Sequence, residues 1–572
     1  MTKRLILALL LSCSPLWATT YYVDNCLTVG NDLNNGTSTS TPWLTINKVN
    51  TSTFNPGDSI LFESTCTWRE QLTVPSSGSA GSPITFGAYG TGAAPIISGA
   101  NLFTNWASSA GSLYYASYST APNQVFEDGA RLTQNKVSAA SLTAGQWYLD
   151  TVNSRIWVYT TAGDNPSGHK MEASQRGGVS TPNGTSYVTL SGIEVEKSNY
   201  DGFECGPPCT NLIITGMSFL YGFNSGLNIL NGANSNIVVT YSTAAYNGVD
   251  GFQAANVSGL LYDHLIAHDN CWSSTQFTAG IKFNGTSGEG ADSENGTVQY
   301  SVSYNNGVGG VNNIGAGIWA DTEGGGFTAQ YNMVYGNNEY GILIDAPSGT
   351  STVAYNVAFN NGNAGVGQGY GIMMMEDWQT SMSGQKVYNN TAWGNYTAAI
   401  AWWGDSQTPG CTDNIMENNI AVNTTAGPNF VANGGCENSG TYGSGNVYTY
   451  NDFGPASSIF IQWGAGTFYS TYSAWETAAG NCGTTGCSHS VEAAPTFANA
   501  SAGQFWLTSG SPGIGAGTNL GSPYNFGLMP RSTWPNSVVT GDQNAYGGGW
   551  EMGAFVYVPA LAPPTNVQAV AH

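Results

Sequence analysis

Residues 331–337 read YNMVYGN, and the pattern returns as YSVSYNN at 300–306, YNVAFNN at 355–361 and NNTAWGN at 389–395. In each unit an Asn stands two positions after the last aromatic: Asn306, Asn337, Asn361 and Asn395. Asn270 fits the same slot, two residues after His268. Between these units a Gly followed by an apolar residue recurs at Gly226, Gly251, Gly280, Gly317, Gly341 and Gly371, with Ala399 in the same role. A unit of this size cannot bury its own apolar face, so the units must stack. Alternating residues between Asn and Gly corners read as two or three short strands per turn, and no long 3.6-residue period suggests helix.

Stacked parallel strands set equivalent residues in lines about 4.8 Å apart. An Asn in such a line bonds the Asn above and below, which explains that row without a functional role. His268 shares its slot with Tyr304, Tyr335, Phe359 and Trp393, and so reads as a stacking residue, not a catalyst.

The flanks carry a family resemblance. YYVDNCLTVGNDLNNGTSTSTPWLTINKV (21–49), FNPGDSILF (54–62), WREQLTVPSSGSAGSPITFGAYG (68–90) and PIISGA (95–100) resemble the opening of right-handed parallel β-helix proteins of the pectin-lyase-like superfamily. APTFANASAGQFWLTSGSPGIGAGTNLG (494–521) and GGGWEMGAF (547–555) resemble their terminal coil and closing strand. The resemblance implies an all-β solenoid with first coils over 19–100 and a body and C-terminal coil over 186–558. Residues 101–185, with QVFEDGARL and GQWYLDTVNSRIWVYT, break the ladder as hairpin material. They resemble a small β-insertion carried by several β-helix glycoside hydrolases. Residues 559–572 read as a linker or tail.

MTKRLILALLLSCSPLWATT opens with Lys3 and Arg4, a short apolar run and the small residue Ala18. This reads as a secretory signal over 1–18, with lipoprotein processing at Cys13 as the alternative. The expectation is a secreted protein, extracellular or periplasmic, with no transmembrane segment and a monomeric state. A net charge of −22 argues against nucleic acid as a partner. Export makes disulfides the default for the cysteines. Cys205 with Cys209, Cys411 with Cys436 and Cys482 with Cys487 are close in sequence, and Cys26 with Cys66 would leave Cys271 outside these pairs.

Aligning the Gly marks places Leu227, Phe252, Ile281, Ile318, Ile342, Ile372 and Ile400 inside. Alternation then points Asn228, Gln253, Lys282, Trp319, Leu343, Met373 and Ala401 outward. Two positions further, Asn284, Asp321, Asp345, Met375 and Trp403 are outside again, with Glu376 and Asp377 following. Asp321 and Asp345 should therefore lie one rung apart, about 5 Å. Two carboxylates that close do not readily carry two charges, which is how an acid is prepared beside an anionic partner. That spacing suits the roughly 5–5.5 Å of a retaining glycosidase. Glu376 or Asp377, two rungs from Asp321 at about 10 Å, roughly suits the wider inverting pair. Trp319, Trp378 and Trp403 are read as exposed sugar platforms beside this patch, with Asn284 as a further substrate contact.

Other readings compete. Either Asp alone could cap a turn, and Asp345 before APSG fits that role. Clustered acids, here or in GEGADSENG at 288–296, could bind calcium. GIKF at 280–283 resembles the Gly-apolar-Lys strand of β-helix lyases that use a lysine base, and Asp250 resembles one of their calcium-binding acids. The adjacent acidic pair those lyases carry is absent. The leading expectation is a glycoside hydrolase acting on a polysaccharide or oligosaccharide, with no cofactor required. The alternatives are a calcium-dependent polysaccharide lyase with Lys282 as base, and a non-catalytic glycan-binding β-helix.

Overall fold

The computed structural model describes residues 18–27, 29–273, 277–285, 295–308, 315–321, 326–347, 349–376, 382–404, 410–423, 427–438, 443–457, 459–478, 489–546 and 548–559. Three long sheets form the sides of a coil. The first pairs 13 strands, from Thr20–Val23 to Val447–Thr449. The second also pairs 13, from Leu72–Thr73 to Thr467–Tyr469, and the third pairs 11, from Thr67–Trp68 to Ile420–Val422. Each coil gives one strand to each side, as Gly315–Asp321, Phe327–Gln330 and Met333–Tyr335 do for the second, first and third sheets. Pairing is parallel throughout except at the end of the second sheet, where Ile461–Trp463 meets Thr467–Tyr469 antiparallel. The chain is a parallel β-helix, as the repeat implied.

The interior line is as expected. Leu227, Phe252, Ile281, Ile318, Ile342, Ile372 and Ile400 pair in register along the second sheet, all fully or almost fully buried. The Gly marks exist because neighbouring coils approach closely there. A Cβ on Gly317 would lie 2.6 Å from Gly341 O and 2.7 Å from Asn337 Nδ2.

That Asn belongs to the expected ladder. Asn337 Nδ2 donates to Asn361 Oδ1 (3.0 Å) and Ser303 O (3.1 Å), while its Oδ1 accepts from Asn306 Nδ2 (2.8 Å). Equivalent bonds link Asn247 to Asn270, Asn270 to Asn306 and Asn361 to Asn395. A second ladder, not read from the sequence, runs Asn332, Asn356, Asn390, Asn419 and Asn451, each step 3.0 Å. A buried amide left unpaired costs about 1–3 kcal/mol, so these rows persist only because every member is satisfied.

Rings stack in the same manner. His268 lies 4.9 Å from Tyr304, Tyr304 5.0 Å from Tyr335, and Tyr335 4.9 Å from Phe359. His268 is thus a stacking residue. A parallel stack of Tyr241, His264, Tyr300, Tyr331 and Tyr355 occupies left-handed corners, with φ between 49° and 59°.

Between Ile96–Ser98 and Val179–Thr181 the chain leaves the coil and builds two small sheets. The hairpin Gln146–Asp150 with Arg155–Tyr159 packs Trp147, Ile156 and Val158 against Val125 and Met171. Buried Glu172 ties this insertion to the coils through Lys197 and Arg69, both at 2.7 Å. Cys26–Cys66, Cys205–Cys209 and Cys411–Cys436 are disulfides, and buried Cys271 is in none of them. Cys13, Cys482 and Cys487 lie outside the described residues.

The C-terminal segment departs from the expectation of a terminal coil. Strands Phe497–Asn499 and Gln504–Leu507 form one antiparallel pair and Phe526–Leu528 and Thr540–Asp542 another, both outside the three long sheets. They fold back over the ring stacks. Phe505 lies 5.0 Å from Phe359, Trp534 Nε1 donates to Tyr331 O at 2.7 Å, and Gln543 Nε2 to Tyr355 Oη at 2.9 Å. The stacks are an apolar outer surface that needs a cover, and this segment supplies it. Among the described residues, no helix is long and apolar enough to cross a membrane.

Candidate functional site

The outward line of the second sheet changes character midway. Ser180, Glu204, Asn228, Gln253 and Lys282 follow one another in register, then Trp319, Leu343, Met373, Ala401 and Val431 continue it. The line is polar up to Lys282 and apolar from Trp319. Lys282 stands at that seam. One outward step further, Asn284 pairs with Asp321, and Asp321 with Asp345, directly across neighbouring strands.

Lys282 is only 5% exposed. Its Nζ lies 3.1 Å from Asp321 Oδ2, donates to Phe277 O at 2.8 Å and sits 4.2 Å above the Trp319 ring. The Asn284 amide, with its nitrogen toward the carboxylate, donates to Asp321 Oδ2 at 3.2 Å. Asp321 is therefore held between a cation and an amide donor. Asp345 is 6% exposed, more enclosed than its neighbour.

Trp319 does not form the exposed platform expected of it. It is 3% exposed, packed with Leu343, Met373, Ala316 and Tyr340, with Phe277 edge-on at 5.7 Å. Pointing out of the coil is not the same as meeting water when the outward neighbours are themselves apolar. Trp403, in register with Met375, is 39% exposed and open to a ligand. Glu376 is buried, with Oε2 against the position of Gly404, one coil further on. Asp377 and Trp378 lie outside the described residues, as does most of GEGADSENG.

Three more acids belong to this side of the molecule. Asp250 Oδ1 accepts from Ala279 N at 2.7 Å, and Asp201 Oδ1 from Ser225 N at 2.9 Å. Burial pushes both carboxyls up to about 6; for Asp250 the nearby Lys282 pulls the other way, and Asp201 and Asp321 add to the rise. Glu339, 2% exposed, is pushed up by burial to about 7. The sequence signal for the first two was Asp-Gly-Phe at 201–203 and 250–252, which reads equally well as a turn. Glu339 gave no signal beyond its place before a strand.

Calcium needs several converging oxygens. Among the described residues, no three carboxylates on this face converge closely enough to hold an ion. The groups that do converge are Asp24 with Cys26 and Cys66, whose sulfurs are bonded to each other, and Glu127, Asp128 and His169 in the insertion.

No family model matches the chain. Over 76 residues it is 42% identical to lacto-N-biosidase of Bifidobacterium longum subsp. longum, a match covering 13% of this chain and 5% of that protein. The matched segment is thus a small fraction of that curated relative's length. The structure of XylC with xylose is similar at a TM-score of 0.50 and 13% identity, covering 70% of this chain and 75% of that one. Pectate lyase Pel9A has a TM-score of 0.40 at 16% identity, over 94% and 97% of the two chains. The lacto-N-biosidase of Eubacterium ramulus, a GH136 protein, has 0.38 at 15%, over 67% and 64%. Long parallel sheets wound into coils, together with the first of these structural likenesses, give this chain a parallel β-helix fold.

Proposed function

We propose that this chain is an exported carbohydrate-active enzyme, a glycoside hydrolase that cuts a polysaccharide or oligosaccharide at the seam of the second sheet. The observation that carries the reading is the direct pairing of Asp321 with Asp345. Paired positions on adjacent strands are about 4.8 Å apart, close to the roughly 5–5.5 Å of retaining enzymes. Asp345, the more enclosed, gives its proton to the glycosidic oxygen as the bond to the anomeric carbon breaks. Asp321, with Lys282 and Asn284 on its oxygens, attacks that carbon to form a glycosyl ester. Asp345, now a carboxylate, takes a proton from water as the water oxygen bonds to the anomeric carbon, and the bond to Asp321 breaks to release its carboxylate. Trp403 offers an apolar face to a sugar ring. The 76-residue likeness to a lacto-N-biosidase leans to hydrolysis, and three disulfides suit an oxidising compartment outside the cytosol.

A second reading makes Lys282 the base of a calcium-dependent lyase, favoured by its place near buried Asp250. The two separate on one glycan panel. A hydrolase releases reducing ends without ultraviolet absorbance, whereas a lyase makes unsaturated, absorbing products and stops in chelator. Binding with no product at all would leave a glycan-binding protein and sink both.

A further inference from the structure

We propose that the protein carries a second saccharide site, separate from the Asp321 face and independent of the hydrolase reading. It lies in the groove between the ring stack of the third sheet and the C-terminal segment, and takes an oligosaccharide bearing carboxylates. The groove encloses 850 Å³, within the range of sites that hold small ligands. Tyr335 and Phe359, stacked at 4.9 Å, supply an apolar floor, and Trp506 and Trp534 line the groove above it. The groove is preformed: Trp534 is fixed by its bond to Tyr331 O, and Trp506 packs edge-on against Phe555 at 6.2 Å. A second cavity of 600 Å³ shares Trp506 and Arg531 with the first, so the space continues past one ring.

Charge identifies the occupant. The chain holds 35 acidic residues against 13 Lys and Arg, yet no Asp or Glu lines either cavity among the described residues. Arg531 stands in both, exposed, with no hydrogen bond or ion pair to any described residue. An arginine fork with no protein carboxylate to bind is suited to a carboxylate brought by a ligand. Indole surface beside it suits the apolar face of a sugar ring. Gln504 adds an exposed amide for hydroxyl groups.

The test titrates the whole chain calorimetrically with trigalacturonate and with neutral galactotriose. Trigalacturonate should bind. Arg531→Ala should weaken it about tenfold, as loss of a charged hydrogen bond implies, and Arg531→Lys should weaken it less. Trp506→Phe should weaken both sugars. Asp321→Asn should leave the affinity unchanged, which separates this site from the catalytic reading. The proposal is overturned if trigalacturonate does not bind, if Arg531→Ala binds it equally, or if galactotriose binds as tightly. It is also overturned if binding appears only after removal of 560–572, because the groove would then belong to the chain's own tail.

Discussion

The corners of the coil and the outer face of its second sheet obey opposite rules. At the corners each coil repeats its neighbour: Asn337 bonds to Asn306 and Asn361 as they bond to theirs, and Tyr335 stacks on Tyr304 as Phe359 stacks on Tyr335. On the second sheet the line of Ser180, Glu204, Asn228, Gln253 and Lys282 stops repeating and gives way to Trp319, Leu343 and Met373. A row that repeats satisfies itself and needs no ligand. The row that breaks, with Lys282, Asp321 and Asp345 at the break, is where the proposed site lies.

Substitutions on the two sides should therefore fail differently. Asp345→Asn should cut turnover about a thousandfold, a loss of about 4 kcal/mol from the transition state, while thermal unfolding stays within a degree or two of wild type. Full activity would return Asp345 to the turn-capping role. Asn337→Ala should do the reverse. It removes the acceptor of Asn306 N and one of the bonds made by Asn306 Nδ2 and by Asn361 Oδ1, together with the donor to Ser303 O, and should lower stability by about 1–3 kcal/mol, measured by denaturant unfolding. Gly317→Ala should cost about 1–3 kcal/mol by the same assay, since the added methyl meets Gly341 O and Asn337 Nδ2.

The smallest expected effect lies away from both regions. His169 in the insertion bonds Asp128 at 2.7 Å and Asp164 at 2.9 Å, and these carboxylates push its imidazole up to about 9. A folded value above the ordinary 6.5 contributes stability that is complete below about 6.5 and lost as pH rises through about 9. Melting temperature should fall slightly over that window in wild type and less in His169→Gln.

Much of the repeat was legible because a solenoid turns sequence period into spatial lines. The Gly marks alone placed Asp321 opposite Asp345 and the interior Ile line in register. Burial was less legible. Trp319 was rightly placed outside the coil, but whether an outward residue meets water depends on neighbours from other coils, and Leu343 and Met373 close over it. The second Asn ladder sat inside the same quoted motifs, at Asn332, Asn356 and Asn390, one residue after the corner Tyr or Asn. The closing Asn already accounts for the unit, so the pattern does not single out this row. Asp201 and Asp250 look like turn residues until burial is known. The folding back of Phe505 and Trp534 joins residues more than a hundred positions apart, and no local pattern encodes that.

The central claim is that the seam holds a hydrolase pair. The most direct measurement is the product profile of wild type, Asp321→Asn and Lys282→Ala on one glycan panel, with reducing ends and ultraviolet absorbance recorded together. The account predicts reducing ends without absorbance from wild type, and none from folded Asp321→Asn. Absorbing products that persist in Asp321→Asn and vanish in Lys282→Ala or in chelator would contradict it.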